Sequence, residues 1–332
     1  MTALRTRIYR GTERNLELLA AKLQQGELVA VPTETVYGLA ANALDATACA
    51  RVFKAKGRPT TDPLIVHLHD LSQVTEVAKP NDAAIKLAKK FWPGPLTMIL
   101  PKTKQVPPIV TSGRSSVAVR IPAHPLFRRL LKGCALPLAA PSANPFGYVS
   151  PTTARHVRDS LNGRIRFILD GGPAKVGLES TIVDLRDPSR PKILRPGAIS
   201  AAQIGRVLRC DVEDYKHQLT ARNRSQVAPG QLPQHYSPNA RVKLHKTIPD
   251  SVAASIEPGQ AVLHFKKPAK AHGRHAYWLS ATGNQTTAAR SLFAKLRQID
   301  QRGYRLIHVE LAPCGLMSEA INDRLRRAAA KG

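Results

Sequence analysis

Apolar residues recur at two spacings along the chain, and the switching between them predicts alternating helices and strands. Leu16, Leu19 and Leu23 sit at helical spacing in a charged segment from Glu13 to Gln25, and Gly26 closes it before an apolar run of strand length, Leu28 to Val31. The alternation continues with a helix around Ala46 to Lys56, a strand over Leu64 to Leu68, a helix from Asp82 to Phe91, and strands at Leu96 to Leu100 and Val117 to Ile121. Further strands are predicted at Leu136 to Ala140, Phe167 to Leu169 and Ser180 to Leu185, with a helix after Ser150. Residues 211–240 then turn polar and rich in Pro and Gln, the pattern of a linker or of an ordered functional loop. Beyond them, a strand at Ala261 to Phe265, a helix carrying Leu292, Leu296 and Ile299, a strand at Leu306 to Val309 and a helix from Ser318 to Ala329 form a second, smaller unit. The expected class is α/β, although Pro at several strand ends argues against a plain run of βαβ units.

At 332 residues and 43% hydrophobic, the chain is long enough to bury two cores. Fifty Lys and Arg against twenty-three Asp and Glu give a net charge of +27, so the partners should be anionic: nucleic acid, nucleotide, polyphosphate or an acidic lipid surface. The charge is spread over both units; only residues 101–150, with seven bases and no acid, concentrate it. Cys49, Cys134, Cys210 and Cys314 form no CxxC pair, which removes a disulfide framework and argues against structural zinc. The N-terminus has no apolar stretch of signal-peptide length, and the most apolar later run, Cys134 to Ala143, is broken by Pro137 and Pro141. A soluble cytoplasmic protein with no membrane partner is expected.

Candidate chemistry gathers at strand ends where hydroxyl or amide residues stand beside Gly and Pro: Thr33-Glu34-Thr35, Pro141-Ser142-Ala143-Asn144 and Glu179-Ser180-Thr181. Strand termini in open α/β sheets are where ligands bind, and hydroxyls there can hold a polar molecule or phosphate oxygens. Such residues also close turns through their own backbones, so each segment alone has a purely architectural reading. Cations lie close by in Lys56-Gly57-Arg58, Val119-Arg120 and Leu194-Arg195, and arginine can take carboxylate or phosphate through paired hydrogen bonds. No segment carries P-loop or GxGxxG spacing, so any nucleotide is bound by other means. Phe91-Trp92-Pro93-Gly94 reads as a helix end packed by an aromatic.

Taken together and in order, VPTETVYGLAANA (31–43), KAKGRPTTDPLIVHL (54–68), FWPGPLTMIL (91–100), VAVRIPAHP (117–125), PLAAPSANPFGYVSPT (137–152), GLESTIVDL (177–185) and ILRPGAIS (193–200) resemble the L-threonylcarbamoyladenylate synthase family. The later APGQLPQHYSPNA (228–240), followed by a small α/β unit, is similar to the two-domain form of that family. The resemblance implies a YrdC-like catalytic domain over 1–210, a twisted mixed sheet with helices around a concave basic cavity. It further implies a linker that doubles as an active-site loop over 211–240, and a small α/β, Rossmann-like domain over 241–332. The implied reaction joins L-threonine, bicarbonate or carbon dioxide, and ATP into threonylcarbamoyl-AMP and pyrophosphate. The product would feed threonylcarbamoyladenosine formation next to the anticodon of tRNA, with a separate transferase complex performing the transfer.

By the same resemblance, Thr33, Thr35, His67, Arg120, Ala140 and Ser180 surround threonine, with Arg120 on its carboxylate. Lys56, Arg58 and Arg195, implied as the catalytic cations, meet ATP together with Ala118, Ser142, Asn144, Ser150, His235 and Tyr236. Mg2+ is implied with the nucleotide, held by phosphate oxygens and water, and no resident metal site is expected. The loop departs from some relatives in carrying Gln231-Leu232-Pro233-Gln234 where they have a basic residue. The competing class is a basic RNA-binding module without catalysis, supported by the net charge, and a tRNA contact is compatible with either class. No RNA-binding signature appears, and aromatics make up only 5%, too few for a stacking platform.

Overall fold

The computed structural model describes residues 4–215, 225–230, 235–254, 256–269 and 273–330. Its strands are, in chain order, β1 (Arg7–Arg10), β2 (Val29–Val31), β3 (Gly38–Asn42), β4 (Ile65–His67), β5 (Leu96–Pro101), β6 (Ser116–Arg120), β7 (Leu138–Ala139), β8 (Phe167–Asp170), β9 (Thr181–Asp184), β10 (Lys192–Arg195), β11 (Arg241–His245), β12 (Gln260–Lys266), β13 (Ala276–Ser280) and β14 (Leu306–Glu310). The first ten form one mixed sheet in the order β1-β8-β2-β3-β7-β4-β6-β5-β9-β10. The last four form a wholly parallel sheet in the order β11-β14-β12-β13. The α/β class, the mixed sheet and the smaller second unit are therefore as expected. No helix among the described residues is long and apolar enough to cross a membrane.

Four of the strands that the hydrophobic pattern does not reveal, β1, β10, β11 and β13, lie at sheet edges, where one flank faces water and apolar content is not demanded. The fifth, β3, is central but built from Gly38-Leu39-Ala40-Ala41-Asn42, too small-residued to register as a strand. β7 is two residues long where five were expected, because Pro137 and Pro141 bracket it and cannot donate to the ladder. Helices Pro125–Cys134 and Ala201–Leu208 are additional to the predicted set.

Helices pack on both faces of the large sheet. Leu87 and Ala88 of helix Asp82–Phe91 join Phe53, Leu64, Val66 and Trp92 in one cluster. Leu19 and Leu23 of helix Glu13–Gln24 meet Phe127 and Leu131 in another. In the smaller unit, helices Gln285–Asp300 and Ser318–Ala329 cover one face of the parallel sheet through Phe293, Leu296, Ile321 and Leu325. That cluster does not stop at the unit boundary, since it takes in Val36, Val149 and Leu178 of the larger unit and Tyr236 of the connecting loop.

Polar contacts tie the same seam. Arg297 donates to Ser160 Oγ at 2.8 Å and to the carbonyls of Val149 and Ser150, while the Tyr148 hydroxyl donates to Asp300 Oδ2 at 2.7 Å. Gly177 has φ +81°, and a Cβ there would lie 2.4 Å from Arg290 Cα, so the two backbones approach as closely as glycine alone allows. Because Phe293 is fully buried and packs on the Tyr236 ring at 5.5 Å, Phe293→Ala should cost about 3–5 kcal/mol in urea unfolding.

Candidate active site

The site is assembled from strand ends. Helix Ala46–Lys56 starts on the Asp45 side chain, which accepts from the Thr47 and Ala48 amides, and ends on Gly57 at φ +63°. This left-handed turn reverses the chain so that Lys56 and Arg58, on either side of it, both point inward and are buried. Lys56 Nζ donates to the carbonyl oxygens of Ser142 and Asn144, bracing the Pro-Ser-Ala-Asn turn. Arg58 donates to Asp62 O at 3.0 Å and Pro63 O at 2.8 Å and forms an ion pair with Asp62 at 3.0 Å.

β4 and β6 run parallel with His67 opposite Arg120, which sets imidazole and guanidinium side by side at the ends of the two strands. Arg120 Nε donates to Gly94 O at 3.1 Å and Nη1 to Thr35 Oγ1 at 3.0 Å, while Nη2 lies 2.6 Å from Glu34 Oε1 in an ion pair set off the hydrogen-bond axis. The Gly94 carbonyl is presented by the arch after Trp92, whose indole N–H donates to Leu96 O. Thr33 Oγ1 donates to Val36 O at 2.6 Å and sits 2.7 Å from Thr35 Oγ1, so both threonines are fixed before any ligand arrives. Across the cavity, Arg195 at the end of β10 donates to Ser180 O and Ser180 Oγ, each at 3.0 Å, and Ser180 Oγ also contacts Thr97 Oγ1 at 2.7 Å.

The resulting cavity is lined by Thr33, Thr35, Arg58, His67, Arg120, Ala140, Ser142, Glu179, Ser180, Arg195, Pro229, Gly230, His235 and Tyr236, among others. The sequence-implied threonine set is brought together in full, and of the nucleotide set Arg58, Ser142, Arg195, His235 and Tyr236 line the same space. Four others do not line it. Lys56 lies behind the Pro-Ser-Ala-Asn turn, and Asn144, the last residue of that turn, commits its Nδ2 to Pro145 O and Tyr148 O, both at 2.8 Å. Ala118 packs with Ile65, Ile99 and Ile182, and Ser150 donates to Glu179 Oε1 at 2.6 Å.

The described parts of the loop cover the cavity: Gln226 N donates to Thr61 O at 2.9 Å, and Arg114 holds the carbonyls of Ser225 and Gln226. Gln231 to Gln234 lie outside the described residues. Tyr236 adopts φ +63°, a left-handed conformation uncommon for an aromatic residue, and its ring sits 4.1 Å from that of His235. Among the described residues, Tyr236 OH and His235 Nδ1 are buried with no hydrogen-bond partner, the condition that a polar ligand would relieve.

Burial dominates the electrostatics. It pulls the Lys56 ammonium well below its ordinary range, and Arg58 pushes the same way. Burial likewise lowers Arg58 and Arg195. His67 is lowered to about 3 by burial and then by Arg120, and His235 is lowered by burial and then by Arg58 and Lys56. Both imidazoles are therefore neutral near pH 7. A buried, hydroxyl-lined space with three arginines and neutral histidines is suited to hold a polyanion and an amino-acid carboxylate at once.

Sequence reasoning missed Arg324, Thr97, Asp62 and the Gly94 carbonyl. Arg324 belongs to a helix that the sequence offers only as part of the smaller unit, yet it is fully buried and reaches Glu179 at 3.0 Å. Thr97 carried no motif of its own beyond the arch.

Two family models account for most of the chain: one described as telomere recombination matches residues 21–197, and one described as the C-terminal domain of threonylcarbamoyl-AMP synthase matches residues 199–330. A threonylcarbamoyl-AMP synthase of Pyrococcus abyssi is 39% identical over 95% of this chain and 94% of its own length. One of Bacillus subtilis is 40% identical over 93% and 91%. The crystal structure of the Pyrococcus abyssi protein Sua5 complexed with L-threonine superposes with a TM-score of 0.87 at 38% identity, covering 99% of this chain and 98% of that one.

His67 supplies a pH test. Its folded pKa of about 3 lies below the unfolded value of 6.5, so its contribution to stability is complete above pH 6.5 and is lost progressively as pH falls toward 3. The His67 ring should stay neutral by NMR down to about pH 4, and His67→Gln should flatten the acid limb of stability by up to one proton.

Proposed function

The chain belongs to the threonylcarbamoyl-AMP synthase family, and we propose that its cavity condenses L-threonine, bicarbonate or carbon dioxide, and ATP into threonylcarbamoyl-AMP and pyrophosphate. The observation that carries the reading is the trio of buried arginines, Arg58, Arg120 and Arg195, around a space whose lining carboxylate, Glu179, is already engaged by Arg324 and Ser150.

In this reading the threonine carboxylate meets Arg120, and its amine and hydroxyl lie among Thr35, His67 and Ser180, with Thr33 and Ala140 shaping the floor. The amine adds to carbon dioxide and loses a proton, giving a carbamate. A carbamate oxygen then attacks the α-phosphorus of ATP: the new P–O bond forms as the α–β bridging bond breaks, and pyrophosphate leaves with that electron pair. No protein nucleophile is required; the work is alignment and neutralisation of phosphate charge. Arg58 and Arg195 face the phosphates, Lys56 and Asn144 support the Ser142 turn against which they lie, and His235 and Tyr236 close over the nucleotide. Ala118 and Ser150 act from behind the cavity wall.

Among the described residues no group of three or more His, Cys, Asp or Glu could hold a metal, and Glu34 and Glu179 are both paired with arginine. These residues suit Mg2+ that enters with ATP and keeps phosphate and water ligands, as a small hard cation does. The loop over 211–240 would shield the labile adenylate from water. The product would pass to a tRNA-modifying transferase complex, and the net charge of +27 favours a tRNA contact on the way.

Protein mixed with ATP, Mg2+, bicarbonate and labelled L-threonine should release pyrophosphate only when threonine is present and should yield a product containing both threonine and AMP. Arg195→Ala and Lys56→Ala should each lower kcat/KM by about 100-fold, roughly 2.7 kcal/mol of transition-state stabilisation. Threonine-independent pyrophosphate release would reject the assignment, and no turnover together with salt-sensitive RNA binding would favour the binding module. Deleting residues 216–234 should leave pyrophosphate release measurable while the yield of intact intermediate falls; an unchanged yield would reject the shielding role.

A further inference from the structure

A fully buried side chain of the small unit reaches a carboxylate that lines the cavity. Arg324, on helix Ser318–Ala329, donates from Nε to Glu179 Oε2 at 3.0 Å and from Nη1 to Pro196 O at 2.8 Å and Asp323 Oδ2 at 3.0 Å. Its Nη2 has no hydrogen-bond partner among the described residues, and the guanidinium lies over the Tyr236 ring with its carbon 5.5 Å from the centroid, a cation–π contact. Glu179 is thus taken at both oxygens, one by Arg324 and the other by the Ser150 hydroxyl at 2.6 Å.

Arg195 gives its hydrogen bonds to the carbonyl and hydroxyl of Ser180, the residue after Glu179. Glu179 is near enough to act on the charge of Arg195, and both line the cavity. In a water-poor site a free carboxylate beside a guanidinium would pair with it, and an anionic ligand would then have to displace that carboxylate.

We propose that Arg324 is a positioning residue for nucleotide binding: by holding Glu179 it keeps Arg195 free for phosphate. The inference rests on the reading that Arg195 meets the nucleotide. It assigns the small unit a role in the chemistry of the larger one, through one guanidinium that also carries the ring of Tyr236.

The test is Mg2+–ATP and L-threonine binding by calorimetry, with steady-state KM values, on the full chain. Arg324→Gln should weaken ATP binding about 10-fold or more, equivalent to about 1.4 kcal/mol, while threonine affinity changes less than about twofold and Arg324→Lys recovers part of the loss. Measured in a Glu179→Gln background, the same Arg324→Gln change should alter ATP affinity by less than about threefold, because no carboxylate remains to capture Arg195. An equal loss in both backgrounds, or a parallel fall in threonine affinity, would overturn the inference and leave Arg324 a structural tie. If Arg324→Gln does not fold, Arg324→Lys compared in the two backgrounds decides the matter in the same way. Arg195→Ala is the control: unchanged ATP affinity there would overturn the reading of the cavity itself, and the inference with it.

Discussion

Burying a guanidinium costs several kcal/mol unless its N–H groups are met, and this chain buries Arg58, Arg120 and Arg195 around one cavity. Each is anchored by a few neutral acceptors: Asp62 O and Pro63 O for Arg58, Gly94 O and Thr35 Oγ1 for Arg120, Ser180 O and Oγ for Arg195. Backbone carbonyls and hydroxyls hold the side chains in place, so that carboxylates are not the only groups that anchor them. Acids are rationed beside them: Glu34 stands against Arg120, Asp62 against Arg58, and Glu179 is drawn toward Arg324. The cavity therefore holds its cations in fixed positions before a ligand enters, which is the preorganisation that phosphate chemistry rewards.

The rest of the fold serves that arrangement. Parallel pairing of β4 with β6 sets His67 beside Arg120, and the antiparallel return of β10 along β9 brings Arg195 back to Ser180. The prolines that interrupt so many strands end them where a side chain or carbonyl is needed. Pro141 stops β7 so that the following turn can lie on Lys56, and the arch through Pro93 and Pro95 delivers the Gly94 carbonyl to Arg120.

Much of this was legible in the residues themselves. Strands with long apolar runs, Leu64 to Leu68 and Val117 to Ile121, and the helix Ser318–Ala329 stand where periodicity placed them. Clusters of Thr, Ser and Arg at strand ends marked the cavity because such residues have little reason to recur there as turn formers alone. What stayed hidden has physical causes. Edge strands β1, β10, β11 and β13 need no apolar signature, and β3 is too small-residued to show one. The inward turn of Arg324 is set by Glu179, 145 positions away in the chain, and no local pattern encodes a partner at that separation. Lys56 and Ser150 were legible as members of a motif, but which side of the wall they occupy depends on carbonyls and a carboxylate that only the folded chain brings near.

The hydrophobic cluster of the smaller unit runs through Tyr236 into Val36, Val149 and Leu178, and Arg297 plugs the carbonyls of Val149 and Ser150 from the other side. Peeling the units apart would strip partners from buried groups on both faces simultaneously. Cooperativity is the expected consequence: the two sheets should share one melting transition rather than two. A ligand seated against the large sheet should then raise the melting temperature of the small one, although it need not touch a single strand there.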